Sequence, residues 1–462
     1  MTDTATLSEK QTKDMENLLP QQIKSLYQPE LALKKNREDR LRKLLVFAKE
    51  HSSWYRVKLA SIDPNTFTEE RLPELPTLDK KTLMENWDEI VTDRKLSLAL
   101  VESHIQDMRS NNQFLYLLDC YRLLVTSGSS GLRGIFIYDW DEWNTYYLMF
   151  KRYRFYNQQG TGSLLSPLMK KTVIAAVVGT NPIHSIYSLE KSYKTRSAET
   201  VHFSITAPMD EIIEGLNHTQ PDVLLGSSST IHRLSKEVHK NRLDIHPKVI
   251  SVYGEPFYPP VREAIEKTWP QAGIFNTYGT SEGLSASYCR ANSTDMHLND
   301  DLCIVEPVDS YGNPVPKEIM SKNLYITNLF NRTLPLIRYE IHDEMRFLDK
   351  KCSCGSHFQL ISELQNRPDF DFNYSGDIFV NHVIFAYPLL GEKQIKEFQV
   401  VQTENGAFIN LLINSDIDLS FIQKNISEQL KTLGLTNPEL KFNRVENFEY
   451  PASGKLRRFI PL

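Results

Sequence analysis

Short apolar runs alternate with amphipathic segments through the middle of the chain. The alternating elements are strand-like runs at residues 172–178, 223–225, 248–253 and 274–277, and helix-like segments at residues 210–216, 231–240 and 261–269. Strands that alternate with helices in this way favour a parallel sheet covered by helices on both faces. The pattern therefore predicts an α/β fold built on a mostly parallel sheet.

Apolar positions on either side of this region predict further elements. Residues 38–60 have the pattern of an amphipathic helix, with several leucines near one face. Residues 397–414 alternate like two paired strands, residues 418–433 have a helical pattern, and residues 440–448 are strand-like. The last part of the chain is therefore predicted to form a small α+β unit.

The length of the chain exceeds what one hydrophobic core usually serves. The chain has 462 residues, of which 40% are hydrophobic, and this suffices for one large and one smaller domain. A formal charge of -5 argues against a general nucleic-acid binder, because such proteins carry a basic surplus. The longest apolar run is too short to span a bilayer, and the five cysteines suit a reducing compartment. We expect a cytoplasmic protein with no nucleic-acid or membrane partner.

Residues 126–134, TSGSSGLRG, combine glycines, hydroxyl side chains and one cation between two strand-like runs. Glycine lets backbone N–H groups turn toward an anion, and hydroxyls and a guanidinium supply further donors. The composition predicts a phosphate cradle, with a hairpin turn or flexible linker as the alternative. A Walker loop is excluded, because Leu132 follows Gly131 and a strand pattern follows Gly134. The predicted phosphate-binding residues are Thr126, Ser127, Gly128, Ser129, Ser130, Gly131, Arg133 and Gly134.

Polar clusters follow three of the predicted strands. They occupy residues 226–229, 254–256 and 278–282. Ligands of parallel α/β sheets bind at the carboxyl ends of the strands. We therefore expect the ligand of this chain to bind where these loops meet.

Six short motifs occur in a fixed order along the chain. They are TSGSSGLRG, YGEP at 253–256, NTYGTSEG at 276–283, RYEIHD at 338–343, NRPD at 366–369 and PASGK at 451–455. Their order and spacing resemble those of the adenylate-forming (ANL) superfamily, and the set is similar to its phenylacetate-CoA ligase-like branch. The segment GIFIY at 134–138 is similar to members associated with capsule-type gene products. The resemblance covers roughly residue 35 to the C-terminus.

The resemblance implies a two-step reaction. A carboxylate attacks the α-phosphorus of Mg²⁺-bound ATP to give an acyl-adenylate and pyrophosphate, and a nucleophile then displaces AMP. It also implies a large adenylation domain at residues 1–366, with helix-covered sheets, and a small mobile α+β lid at residues 367–462. Such a lid rotates between the two half-reactions.

The resemblance also assigns roles to single residues. Lys455 would bridge the substrate carboxylate and the α-phosphate, Ser281 would approach that phosphate, and Glu282 would hold Mg²⁺. Tyr278 would stack on adenine, and Asp343 would accept hydrogen bonds from the ribose hydroxyls. The remaining nucleotide-binding residues would be Gly254, Glu255, Pro256, Asn276, Gly279 and Arg367.

The acyl pocket is assigned by resemblance to His184, Ser227 and Tyr253. The commoner role for such residues is packing or a polar group at a strand end. An aromatic or similarly compact acid is the expectation from the branch. Arg338 could pair with a phosphate or with a neighbouring acid such as Glu340, the commoner fate of an arginine.

A zinc site is suggested by three cysteines and one histidine. Some phenylacetate-CoA ligase-like members resemble this arrangement and hold a structural zinc. Three thiolates and an imidazole satisfy a closed tetrahedral site, although buried cysteines also serve simply to fill space. The expected ligands are Cys289, His297, Cys352 and Cys354.

Three functions remain open at this point. The first is acyl-CoA synthesis with CoA as acceptor, and the second is acyl transfer to an amine or a carrier-protein thiol. The third is a nucleotide-binding scaffold or sensor without turnover. Dimers are common among the relatives, so a homodimer is an expectation.

Overall fold

The structure is a computed structural model of the chain. The residues it describes are 4–110, 115–126, 133–159, 171–179, 185–193, 198–364, 371–376, 378–392, 394–413, 415–448 and 457–462.

Helices and strands alternate along most of the described chain. The α-helices are α1 (Thr4–Ser25), α2 (Glu30–His51), α3 (Ser53–Lys58), α4 (Lys80–Glu85), α5 (Trp87–Ile90), α6 (Leu98–Ser110), α7 (Trp140–Gln159), α8 (Ser185–Ser192), α9 (Met209–Thr219), α10 (Ser228–His239), α11 (Pro259–Thr268), α12 (Val383–Gly391) and α13 (Ser420–Thr432). The strands are β1 (Arg122–Thr126), β2 (Gly134–Tyr138), β3 (Thr172–Val178), β4 (Ala198–Ser204), β5 (Val223–Ser227), β6 (Val249–Tyr253), β7 (Gly273–Gly279), β8 (Ser285–Ser287), β9 (Asp295–Leu298), β10 (Cys303–Val308), β11 (Asn323–Asn328), β12 (Tyr339–Ile341), β13 (Leu360–Ser362), β14 (Phe372–Tyr374), β15 (Ile378–Val380), β16 (Ile395–Thr403), β17 (Gly406–Ile413), β18 (Glu439–Arg444) and β19 (Phe459–Ile460). Short 3₁₀ helices cover Pro64–Thr66 and Glu69–Glu74.

An eight-stranded sheet in the order β13-β9-β8-β7-β6-β5-β3-β4 organises the large region. The strands from β4 to β7 are parallel, as the sequence pattern predicts. From β7 onward the pairs are antiparallel, which the pattern did not predict. The reason is that β8, β9 and β13 are only three or four residues long, too short to show a period.

Both faces of the parallel strands are buried, and β3 shows why. Ala175 and Val177 join the core under α9, α10 and α11, whereas Ala176 and Val178 pack on the opposite face beside α8. A strand covered on both sides reads as a continuous apolar run instead of an alternating one. The run at 172–178 is therefore a central strand.

The N-terminal region differs from the sequence-based expectation. The helix predicted at 38–60 is two helices, α2 and α3, because Ser52 adopts an extended conformation between them. Its hydroxyl accepts a hydrogen bond from the Tyr55 N–H at 3.3 Å and donates to the Glu89 carbonyl at 2.8 Å. A side-chain cap of this kind starts a new helix.

The helix α1 was not predicted, because its sequence is largely polar. It packs on α7 and the end of α8, where the Ser8 hydroxyl donates to the Ser192 carbonyl at 2.8 Å. The indole N–H of Trp140 also donates to Asp14 at 2.9 Å. The polar contacts of this helix explain why no apolar stripe marks it.

The C-terminal region has its own hydrophobic core, whose buried residues lie between Phe372 and Phe459. Its sheet has the order β18-β17-β16-β19, and α12 and α13 contribute apolar residues to the core. The paired strands, the helix and the last strand predicted for this region are confirmed as β16–β17, α13 and β18. The predicted boundary at 366/367 lies outside the described residues and stays a prediction.

None of the helices in the described ranges is both long enough and apolar enough to cross a membrane.

Candidate active site

Loops that follow neighbouring parallel strands form a cleft at one edge of the large sheet. β6 and β7 pair from Val249 opposite Gly273 to Tyr253 opposite Thr277, so their carboxyl ends lie side by side. The cleft, which we call the strand-end cleft, is lined by Gly254, Glu255, Pro256, Asn276, Thr277, Tyr278, Gly279, Met296, Asp343, Glu344 and Leu364. Residues from three of the six sequence motifs thus share one cleft.

Tyr278 and Asp343, from two different motifs, are directly bonded in this cleft. The phenol of Tyr278 donates a hydrogen bond to Oδ2 of Asp343 at 2.7 Å. Two glycines fit the backbone at the ends of β6 and β7, one by its left-handed conformation and one by its close contact with α7. Gly254 has φ of +77°, and a Cβ on Gly279 would lie 2.1 Å from the Phe150 ring.

Ser281 and Glu282 follow on a segment whose backbone is fixed from both sides. The phenol of Tyr138 donates to the Ser281 carbonyl at 2.6 Å, and the side-chain amide of Asn328 donates to the Glu282 carbonyl at 2.9 Å. The Glu282 residue is only 7% exposed. Burial raises the pKa of its carboxyl, and the charge of Lys80 opposes that rise.

Lys80 is a site residue that sequence reasoning missed. It is the first residue of α4, and its ammonium group lies 3.5 Å from Oγ1 of Thr126, at the start of the glycine-rich loop. Burial lowers the pKa of Lys80, while Glu282 and Asp343 oppose that shift. Lys81 is the next residue in the sequence, so only the fold distinguishes the partly buried Lys80 from the exposed Lys81.

The glycine-rich loop is described only at its ends. Oγ1 of Thr126 accepts a hydrogen bond from the Gly134 N–H at 3.2 Å. The Nε and Nη2 atoms of Arg133 are buried and have no hydrogen-bond partner among the described residues. Burial lowers the pKa of Arg133, with Glu102 the opposing charge. The predicted residues that lie outside the described residues are Ser127, Gly128, Ser129, Ser130, Gly131, His184, Arg367 and Lys455.

Glu255 faces the strand-end serines as well as lining the cleft. Its Oε2 atom accepts hydrogen bonds from the Ser229 N–H at 3.0 Å and from the Ser228 hydroxyl at 3.3 Å. Burial raises the pKa of Glu255, and the nearby charge of Asp371 adds to the effect. The Ser229 hydroxyl in turn donates to Asp371 at 3.2 Å, which links the C-terminal region to this edge of the sheet.

Two residues expected near the substrate have different surroundings. The Ser227 hydroxyl caps α10, where it accepts a hydrogen bond from the Thr230 N–H at 3.4 Å. Tyr253 lines a second cavity between the large sheet and the helices α7 and α8. This inner cavity shares Asn276 and Thr277 with the strand-end cleft, so the two are contiguous at the end of β7.

Apolar and aromatic side chains make up most of the inner cavity wall, together with three charged ones. The apolar and aromatic residues are Phe150, Tyr153, Ile186, Leu189, Leu225, Tyr253, Phe275 and Tyr288, the charged residues are Lys151, Arg154 and Glu190, and the polar residues are Ser251, Asn276, Thr277 and Ser287. None of the three charged residues was singled out from the sequence.

Arg338 forms an ion pair with an acid, which was one of its two predicted roles. Its partner is Glu306 and not Glu340. Its guanidinium pairs with Glu306 at 3.0 Å and donates to the Leu75 carbonyl at 2.7 Å. The buried pair ties β10 to the loop that precedes β12.

The four predicted zinc ligands lie together. The ligand atoms of Cys289, His297, Cys352 and Cys354 are all within 4.8 Å of one another. The Cys289 and Cys352 sulfurs are 3.7 Å apart, and the Cys354 sulfur is 3.5 Å from Nε2 of His297. Tetrahedral ligands with Zn–S bonds of about 2.3 Å would be separated by about 3.8 Å. Hydrogen bonds from Cys289 and His297 lower the pKa of the Cys354 thiol. The donor set and these two separations therefore fit a zinc ion, which would draw the remaining ligand atoms closer together.

No protein-family model matches the chain. Protein CapK of Staphylococcus aureus is 22% identical to it over 429 residues, which are 89% of this chain and 85% of CapK. A structure of 2-hydroxyisobutyryl-CoA ligase with 2-HIB-AMP and CoA in the thioesterification state matches with a TM-score of 0.58 at 17% identity, over 95% of this chain and 91% of the ligase. The same ligase with 2-HIB-AMP in the postadenylation state matches with a TM-score of 0.57 at 15% identity, over the same shares of both chains. The fold is therefore shared along nearly the whole length.

Proposed function

We propose that this chain, which has the fold of the ANL superfamily of adenylate-forming enzymes, activates a carboxylic acid by joining it to AMP. A carboxylate oxygen of the substrate attacks the α-phosphorus of ATP, the bond to pyrophosphate breaks, and an acyl-adenylate forms. The observation that carries the proposal is the strand-end cleft, where Tyr278 and the neighbouring Glu282, from one motif, lie beside Asp343, from another.

The nucleoside of ATP would bind in the strand-end cleft. The ring of Tyr278 offers a flat apolar surface to adenine, and the carboxylate of Asp343 can accept bonds from both hydroxyls of the ribose. The hydrogen bond from Tyr278 orients that carboxylate before the nucleotide binds. Backbone groups around Gly254 would complete the adenine site.

Charged residues next to the cleft suit the phosphates. Lys80 lies partly buried beside Thr126, at the start of the glycine-rich loop, and its ammonium group would pair with a phosphate oxygen. Glu282 would hold Mg²⁺, a cation that prefers oxygen ligands and would neutralise phosphate charge. Lys455 would approach from the C-terminal lid and offset the repulsion between the carboxylate and the α-phosphate.

The acceptor in the second step is proposed to be the thiol of CoA. The similar ligase has been solved with CoA and an acyl-adenylate, and this chain aligns with nearly all of it. The thiol sulfur would attack the acyl carbon, the bond to AMP would break, and a thioester would form. An amine or a carrier-protein thiol would replace CoA without any change in the first step.

Zinc is proposed as a structural ion held by the three cysteines and His297. Four protein ligands leave no position for substrate, so the ion would stabilise the loop at 352–354 against β9.

The test is carboxylate-dependent exchange of labelled pyrophosphate into ATP, using purified chain, Mg²⁺ and a panel of acids. Exchange with one class of acid, followed by steady AMP release when CoA is added, supports the proposal. An Asp343→Ala variant should lose the exchange while keeping its fold by circular dichroism. Absence of exchange with every acid, together with nucleotide binding, would favour the scaffold or sensor.

A further inference from the structure

We infer that the acid activated by this chain is a dicarboxylic acid, and that its second carboxylate binds Arg154. The inference rests on the proposed function and concerns the inner cavity, which adjoins the strand-end cleft at Asn276 and Thr277. An acid held with one carboxylate at that junction would extend its other end along the cavity wall.

The charged groups of the inner cavity do not balance. Lys151 and Glu190 form an ion pair at 2.8 Å, with side chains 19% and 10% exposed. The guanidinium of Arg154 forms no hydrogen bond with any described residue, although Glu190 and Tyr147 lie within electrostatic range. Lys151 and Arg154 against Glu190 give the described lining of the cavity one excess positive charge.

Glu363, which accepts a hydrogen bond from the wall residue Asn276, is already paired with Arg262 at 2.8 Å. The stretch of sequence around Arg154 adds no other acid. No aspartate or glutamate occurs between Glu142 and Glu190, a stretch that contains most of α7, β3 and the start of α8. The undescribed segments at 160–170, 180–184 and 194–197 are equally free of acids. His202, on the neighbouring strand, adds no negative charge in either protonation state.

A guanidinium in such surroundings favours an anionic ligand. Removal from water lowers the pKa of Arg154, yet an arginine remains protonated in proteins. A carboxylate can accept two parallel hydrogen bonds from it, an arrangement stronger than contact with a neutral group. The excess charge would be neutralised when such a ligand binds.

The wall of the inner cavity determines which chemical group fits between the two carboxylates of the substrate. Phe150, Leu225, Tyr253 and Phe275 offer apolar surface in the same cavity as the junction and the charged residues. A hydrocarbon or aromatic segment would fit there between two carboxylates. A monocarboxylic acid of the same skeleton would leave the guanidinium facing apolar atoms, and an amino group in place of the second carboxylate would meet the excess positive charge.

Matched pairs of acids test the inference. AMP release with CoA is measured for benzoate and benzene-1,4-dicarboxylate, for hexanoate and hexanedioate, and for 4-aminobenzoate. The intact chain should favour the dicarboxylate in at least one pair by about tenfold or more in kcat/KM. Arg154→Gln should remove that preference, Arg154→Lys should restore part of it, and Arg290→Gln, at an exposed arginine outside the cavity, should leave it unchanged.

The outcomes separate this inference from the proposed function. Preference for the monocarboxylates or for 4-aminobenzoate, or an unchanged preference in Arg154→Gln, overturns the dicarboxylate assignment and leaves adenylation standing. Absence of AMP release with every acid in the intact chain, together with absence of pyrophosphate exchange, overturns the proposed function. Circular dichroism of each variant distinguishes a lost preference from a lost fold.

Discussion

The strand-end cleft and the inner cavity meet at Asn276 and Thr277, but different parts of the chain build them. The cleft consists mainly of the turn that follows β6 and the last residues of β7, together with Met296, Asp343, Glu344 and Leu364. The cavity takes its wall from α7, α8 and the middle of several strands. The first region is made of short contiguous segments, and the second is made of single side chains that are far apart in sequence.

The contrast between contiguous segments in the cleft and separate side chains in the cavity suits the two ligands that we propose, ATP and the acid. ATP is the same for every adenylating enzyme, so backbone turns and a few fixed side chains suffice to bind it. The acid differs from enzyme to enzyme, and a wall of separate side chains can change one residue at a time. If the comparison holds, substitutions in the cleft should alter ATP kinetics, and substitutions in the cavity should alter the choice of acid.

Lys455→Ala should have the largest effect, because its charge would serve both ligands at the point where they react. We expect the adenylation rate to fall by on the order of 10²-fold or more, the usual cost of losing a preorganised charge donor. Pyrophosphate exchange measures the rate, with Lys431→Ala at an exposed lysine of α13 as the control. Exchange at the rate of the intact chain would remove Lys455 from the site.

Lys80→Met should come next and should act on ATP instead of the acid. Loss of a charge-assisted hydrogen bond to phosphate costs about 1.5–3 kcal/mol, so kcat/KM for ATP should fall by about 10- to 100-fold. The neighbouring Lys81 is exposed and pairs loosely with Glu85 at 3.9 Å, so Lys81→Met is a matched control. Equal effects of the two substitutions would contradict the assignment of Lys80.

Tyr278→Phe should have a smaller effect confined to the cleft. The ring remains, but the hydrogen bond to Asp343 is lost, at a cost of about 0.5–1.5 kcal/mol. The KM for ATP should rise by about two- to tenfold, while the KM for the acid stays constant. A rise in the acid KM alone would mean that Tyr278 belongs to the acyl side.

Cys354→Ser should have the smallest effect on the kinetic constants for ATP and for the acid. It should instead lower the stability of the fold. The loss of a thiolate would weaken zinc binding, and the melting temperature should fall together with the zinc content measured by elemental analysis. Cys120→Ser, at a cysteine outside the cluster, is the control. An intact chain that contains no zinc when purified without chelators would exclude the metal.

The two regions also differ in how much the sequence could predict. Contiguous motifs gave most residues of the strand-end cleft, because the end of a strand and the turn after it are local and their residues stay adjacent in the fold. Met296, Glu344 and Leu364 lie outside the motifs and were not predicted. Lys80 and Arg154 could not be found in that way. Each is one lysine or arginine among several, and its position depends on which side of α4 or α7 faces the site.

The elements of the fold also differ in how well the sequence predicts them. The parallel strands were predicted because burial on both faces leaves a continuous apolar run, as at 172–178. The antiparallel strands β8, β9 and β13 were missed because each has three or four residues, and α1 was missed because it is anchored by polar contacts such as Ser8 to Ser192. Short elements and polar contacts leave little periodic signal.

The most direct test of adenylation is the fate of the carboxylate oxygen. A substrate acid labelled with ¹⁸O in its carboxylate is turned over with ATP and CoA, and the AMP is analysed by mass spectrometry. Attack on the α-phosphorus predicts AMP that contains one ¹⁸O atom from the acid. Unlabelled AMP, or release of ADP with the label in inorganic phosphate, would contradict the account.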